Sequence, residues 1–309
     1  MKNERMIFAI LCAVVTIWGL NVVMVKYLSF FPPVLISAIR ITVGSLVLMP
    51  IILWKNGLVK IGKKDLLLIT GVALTMITLH QITLAWGLQY TTAGTGSLIL
   101  GLNPLTTAIL AMLFLGEPLS KRKAIGVLMG FSGVLLVVMN KADGVELTGW
   151  GDLIMFFSML MYVIGGLLVR KVTMRGVPVL IVTGYSHAIA AVILWLSSAI
   201  IYPPEVFFAI DTRPFTWLVI LVSGGISTGL GAIGWNYGIG RLGASRTAVF
   251  LNGMPLASLI FAAIFLGEEL KWVHVIAFVL VVGGVYLGSQ RIREPSATIA
   301  PAPPVQETI

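Results

Sequence analysis

Charge is scarce in this chain. Only 11% of its 309 residues are charged, against a hydrophobic share of 58%. A soluble domain carries about 25% charged residues, so this chain could not cover a water-facing surface. Cysteine is nearly absent. Cys12 stands alone, which excludes an intramolecular disulfide and any multi-cysteine metal site. No Asp or Glu falls in the middle of an apolar run; Asp152 lies at the edge of one. Buried carboxylates are the usual means of binding cations and relaying protons in a membrane. Their absence argues against a multidrug cation/proton antiporter. The three histidines form no HxxxH or HExxH pattern, so no metal is expected. No GxxxxGK[ST] is present, and Gly225-x-x-x-Gly229-x-Gly231 lies in an apolar run with no strand before it. ATP is therefore not expected as a ligand. No clustered nucleophile, acid/base pair or Ser/His/Asp set marks an enzyme, and no cofactor is expected.

What remains is apolar sequence in spanning lengths. About 20 residues cross a bilayer as helix. Ten runs fit: about 6–26, 34–54, 66–88, 92–115, 122–140, 151–170, 178–201, 214–239, 243–266 and 272–290. The stretch Leu66–Gly116 has no charge and is too long for one span; it breaks at Gln89-Tyr90-Thr91-Thr92. Of the 21 Lys and Arg, only Lys26, Lys141, Arg213 and Lys271 fall on one side, and Arg40 lies within a span. The rest share the side of the N-terminus. The net charge of +9 therefore reflects orientation with both termini cytoplasmic, not nucleic-acid binding. The tail 291–309 is Pro-, Ala- and Thr-rich, and its composition predicts disorder.

The chain also repeats itself. Leu105–Leu119 reads LTTAILAMLFLGEPL, and Leu256–Leu270 reads LASLIFAAIFLGEEL. Pro104 and Pro255, Gly116 and Gly267, Glu117 and Glu268, and Gly133 and Gly284 keep one spacing. Five spans per half put the second copy through the membrane the other way. An inverted repeat supports alternating access around a site near the midplane. The halves are expected at 1–140 and 141–290.

These motifs resemble the EamA domain of the drug/metabolite transporter superfamily. The residues are Trp18-Gly19-x-Asn21 with Lys26, Arg40, Pro104 followed by Gly116-Glu117-Pro118-Leu119, and Pro255 followed by Gly267-Glu268-Glu269-Leu270. The ten-span layout is similar to the YddG-type members. The resemblance implies an all-α membrane protein of ten transmembrane helices in two inverted five-helix repeats. It also implies a cavity lined by spans 1, 3, 4, 6, 8 and 9, and export of amino acids or related metabolites.

On those six spans, the expected substrate-binding residues are Trp18, Asn21, His80, Gln81, Trp86, Asn103, Tyr162, Trp235, Asn236, Tyr237 and Asn252. Aromatic walls suit apolar or aromatic parts of a solute. Each has a bland counterpart: interfacial belt, core filler, or polar glue between helices. Neighbours such as His80 and Gln81 differ by about 100° on a helix, so both cannot face a cavity squarely. Pro104 and Pro255 would kink their spans and free a carbonyl four residues back, for packing or for gating. Arg40 sits about 9 Å from a span end. It either bonds neighbouring helices, attracts a carboxylate or snorkels to the surface.

The expected function is secondary or facilitated transport of a small metabolite, most of all amino-acid export across a bacterial inner membrane. An importer, or an exporter of another neutral or drug-like solute, is the alternative. The expected partners are the solute and the bilayer, with proton coupling open, no ATP and no nucleic acid.

Overall fold

In the computed structural model, residues 2–57, 59–90, 99–117, 120–139, 149–208, 213–266 and 272–289 are described. They contain helices and no strands. We number the long helices α1 Lys2–Tyr27, α2 Pro33–Asn56, α3 63–90, α4 Asn103–Leu115, α5 Lys121–Met139, α6 Trp150–Met174, α7 Val179–Ile201, α8 Pro214–Leu242, α9 Gly253–Leu266 and α10 Trp272–Ser289. Six of them are long and apolar enough to cross a membrane, and shorter apolar helices accompany them. The loop boundary at 140, the second Gly-Glu motif at 267–270 and the tail lie outside the described residues.

Local chemistry sets the helix ends. Pro33 and Pro214 occupy the first turns of α2 and α8, where a missing N–H costs nothing. Pro104 and Pro255 lie near the start of α4 and α9 rather than deep within a helix. Before Pro104 the winding tightens, with Leu102 N–H donating to the Ile99 carbonyl at 3.1 Å. Before Pro255 a 3-10 turn spans Val249–Asn252. Each of these spans therefore changes winding just before its proline, where the missing amide weakens the regular ladder.

Packing follows the repeat. α1 packs on α8 and α9 of the other half, and α6 packs on α3 and α4. α2 meets α7 and α8, while α7 meets α2 and α3. α5 packs on α10. Exchanging helices one to five with six to ten leaves this set unchanged, so the two halves are joined about a pseudo-twofold. The α5–α10 contact shows why small residues lie there. A Cβ on Gly126 would come within 2.5 Å of the Gly284 carbonyl oxygen, and one on Gly284 within 2.5 Å of the Gly126 oxygen. Only glycine lets the two backbones approach that closely.

Both third helices widen into π winding at the same place. The wide segments are Ala73–Leu79 in α3 and Val222–Leu230 in α8. Such segments often mark functional sites, and here they receive the first helix of the opposite repeat. Trp18 Nε1 on α1 donates to the Ser227 carbonyl in α8 at 2.8 Å. Ser158 Oγ on α6 donates to the carbonyl of His80, the residue after the α3 segment, at 3.0 Å.

Candidate functional site

Where α1, α3, α6 and α8 cross, four rings gather. Trp18 lies 5.1 Å from Trp235 and 6.5 Å, edge-on, from Tyr162. The His80 ring lies 4.9 Å from Tyr162. His80 Nδ1 is 3.0 Å from Ser158 Oγ and 3.2 Å from the Ser158 carbonyl. Because Ser158 Oγ gives its proton to the His80 carbonyl, the ring nitrogen is the donor in these contacts. His80 is thus oriented by α6, with one face on Tyr162.

Next to the rings lies a small hollow. α4 contributes Asn103 and Thr107, α6 contributes Tyr162, Val163 and Gly166, and α8 contributes Trp235 and Ile239. Ala244 and Ala248 complete it from the short helix Ala244–Ala248. The lining has no charged side chain. The cavity is about 10 Å³, room for about one water. Thr107 Oγ1 donates to Asn103 Oδ1 at 3.1 Å, which orients the amide. Tyr162 Oη and Trp235 Nε1 are buried and have no hydrogen-bond partner among the described residues. Leaving a buried donor unpaired costs about 1–3 kcal/mol. Two such groups on one hollow are a reason to expect a polar guest there.

A second constellation closes one end of the bundle, the end that holds the N-terminus. α4 stops at Gly116, whose φ of 65° is left-handed, and the chain turns so that Glu117 reaches the segment after α8. Glu117 Oε1 accepts from the Ala244 amide at 2.9 Å. Oε2 accepts from the Ser245 amide at 3.1 Å and from Ser245 Oγ at 2.5 Å. Arg170 Nε stands 3.5 Å from Oε1, and its other end donates to the Gly240 carbonyl at 2.7 Å. Lys123 Nζ donates to Ser245 Oγ at 2.8 Å. Arg246 pairs with Glu4 of α1 at 3.3 Å. Nothing in the sequence pattern marked Glu117 as more than part of a family motif. The Gly-Glu spacing is the signal: the glycine ends the helix and the acid reaches across.

The other expected residues are placed as follows. Asn21 Oδ1 accepts from Ser223 Oγ at 2.6 Å, and Ser223 accepts from Arg40 Nε at 2.8 Å. Arg40 also donates to Thr228 at 3.3 Å. The guanidinium thus ties α2 to the π segment of α8 and, through Ser223, to α1. Asn236 points the other way, toward α7, where Nδ2 donates to Thr183 Oγ1 at 3.0 Å. Asn252 turns to α5; its amide nitrogen would lie 2.0 Å from a Cβ on Gly130. Neither is beside the hollow, because each lies on a helix face that meets a neighbouring span. Tyr237 lies beneath Arg241, 5.4 Å from ring to guanidinium. Gln81 is half-buried, and Trp86 is 38% exposed and apart from the ring cluster. Among the described residues no group of three His, Cys, Asp or Glu could hold a metal.

The EamA-like transporter family matches residues 5–139 and again 149–290. The chain belongs to the EamA-like transporter family. It is a multi-pass membrane transporter, not an enzyme, and its partners are a small-molecule solute and the lipid bilayer. It is 32% identical over 278 residues to the uncharacterized transporter YyaM of Bacillus subtilis, covering 87% of this chain and 89% of that one. It is 23% identical to a probable terminal-alkyne amino-acid exporter of Streptantibioticus cattleyicolor, covering 89% of this chain and 93% of the other. A solved structure superposes with a TM-score of 0.78 at 18% identity, covering 92% of this chain and 98% of that one. At that identity the superposition speaks for the fold alone.

Proposed function

We propose that this EamA-family member exports amino acids or close relatives across the bacterial inner membrane, with both termini in the cytoplasm. The observation that supports the reading most is the uncharged hollow at the crossing of the two repeats, with Trp235 Nε1 and Tyr162 Oη unpaired beside it. Such a site suits a net-neutral solute with hydrogen-bond acceptors and an apolar side chain. The likeness to a probable amino-acid exporter points the same way. Trp18, His80, Tyr162, Trp235 and Asn103 contact the solute in this reading. Asn21 and Arg40 brace the crossing, and the breaks at Pro104 and Pro255 let α4 and α9 bend. The repeats 1–140 and 141–290 rock about the hollow, exposing it to one side at a time.

The test is uptake of a labelled amino-acid panel into proteoliposomes of the purified protein, with and without a pH gradient. Saturable flux of neutral amino acids, reduced by Trp235→Phe, is expected. Flux only with a gradient adds proton coupling and directs attention to His80. Absence of flux for every amino acid refutes the substrate class and moves the reading to another neutral metabolite.

A further inference from the structure

Glu117 lies outside the hollow, yet it has more partners across the two repeats than any residue lining it. It belongs to the first repeat; Ala244, Ser245 and Arg170 belong to the second. Both oxygens of its carboxylate are used, and Arg170 is fixed at its far end by the Gly240 carbonyl. The loop is shaped for this contact. Gly243 has a φ of 93°, and a Cβ there would stand 2.6 Å from Glu117 Oε1. The residues held are Ala244 and Ser245, the start of the short helix whose Ala244 and Ala248 form the wall of the hollow. Lys123 from α5 joins through Ser245, and Glu4 of α1 reaches the same helix through Arg246. Arg170 thus faces the carboxylate, while Lys123 and Arg246 tie further helices to the same loop.

We propose that Glu117 is the latch of the gate on the N-terminal face: its carboxylate holds the Ala244–Ala248 segment against α4 and α6, and releasing it opens the hollow to that face. The carboxylate is held by the Ala244 and Ser245 donors, with Arg170 Nε at 3.5 Å in an ion pair that makes no hydrogen bond. Its backbone donors lie on a five-residue helix next to a glycine, and Arg170 retains partial solvent contact, with 23% of its side chain exposed. Rocking of one repeat on the other must break this contact, because it spans both. The inference rests on the transporter reading but not on the identity of the solute.

The test uses the full chain in vesicles of each orientation. Cys12, the one exposed thiol, is replaced by serine, and Ala248→Cys reports on the hollow. A membrane-impermeant maleimide is then added to one face at a time. The expected result is slow labelling from the N-terminal face, rising at least tenfold in Glu117→Gln. Labelling from the opposite face falls in the same variant. An unchanged rate from the N-terminal face, in monodisperse protein, overturns the latch. Should Glu117→Gln not give folded protein, Ser245→Ala decides. It keeps both backbone donors and loses only the hydroxyl, so about a threefold rise is expected, and an unchanged rate again overturns the proposal. Labelling needs no transported solute, so a failure of the amino-acid reading leaves this result standing, and the reverse also holds.

Discussion

Trp18 and Trp235 touch each other, yet the same substitution should affect them in opposite ways. Trp18 Nε1 is paired with the Ser227 carbonyl at 2.8 Å. Trp235 Nε1 is buried without a partner in a side chain only 2% exposed. Trp18→Phe removes a formed bond and leaves a carbonyl at a helix crossing, at a cost of about 1–2 kcal/mol. Trp235→Phe leaves a gap of about 40 Å³, worth about 1 kcal/mol at roughly 24 cal/mol per Å³. It also removes an unpaired donor whose burial costs about 1–3 kcal/mol. The second term equals or exceeds the first, so its stability should hold level or rise by up to about 2 kcal/mol. Thermal unfolding in detergent checks this: about 2–4 °C of Tm is expected per kcal/mol, so Trp18→Phe falls by several degrees and Trp235→Phe does not fall. Transport should rank them the other way. If a solute accepts from Trp235, its loss weakens apparent affinity by about 5- to 30-fold. The reasoning is refuted if Trp235→Phe loses as much Tm as Trp18→Phe while flux kinetics stay unchanged. Trp235 would then be a packing residue and the unpaired nitrogen would have no guest.

Other consequences are simpler to read. Gly126→Leu forces a side chain into the Gly284 backbone and should cost about 3 kcal/mol or more through overpacking, seen as lost monodisperse yield or a lower Tm. Arg40→Gln removes the guanidinium that bonds Ser223 and Thr228, each such charge-assisted bond being worth about 1.5–3 kcal/mol. Its thermal stability should fall well below that of Arg40→Lys, and equal stability would argue against the bracing role. Asp65→Asn breaks the ion pair with Arg175, whose side chain is 46% exposed. Its cost should stay below about 1 kcal/mol, with Tm insensitive to added salt in the variant.

Span positions and the repeat were legible because both are one-dimensional signals. Apolar length reports a crossing, and the Gly116-Glu117 and Gly267-Glu268 spacing reports duplication. Rotation about each helix axis was far less legible. Trp235 and Asn236 are adjacent, yet one meets Trp18 and the hollow while the other meets Thr183 on α7. In a chain apolar on every side, no polar face marks which residues are inside. Asn252 shows the same limit, since an asparagine at a helix break gives no hint that it will fill the space left by Gly130. The π segments have no residue signature at all. Trp18 reaches a carbonyl within one segment and Ser158 the carbonyl just after the other. Lys123, Arg170 and Arg246 read as orientation charges, because a cation at a span end satisfies that rule whether or not it also has a partner.

The two crossings differ in a way that bears on mechanism. Symmetry would put equivalent contacts at both, yet α1 offers a tryptophan to α8, while α6 offers a serine to α3 beside a histidine. Trp18 and Tyr162 are the counterparts that meet at the centre, 6.5 Å apart. A perfectly symmetric carrier would bind its solute alike from both sides. Here the indole–carbonyl bond and the serine–imidazole pair are unlike in geometry, so nothing requires the two open states to be isoenergetic. Such a difference biases which face the carrier rests open to, while the solute gradient sets the direction of net flux. It is tested by exchanging Ser158 for Ala and reading labelling in the absence of solute. The change removes the hydroxyl that bonds the His80 carbonyl and leaves the Ser158 carbonyl beside the ring. A bias built at this crossing predicts that Ser158→Ala alters the ratio of labelling at Ala248→Cys from the two faces. An unaltered ratio would move the source of asymmetry to the Glu117 end of the bundle.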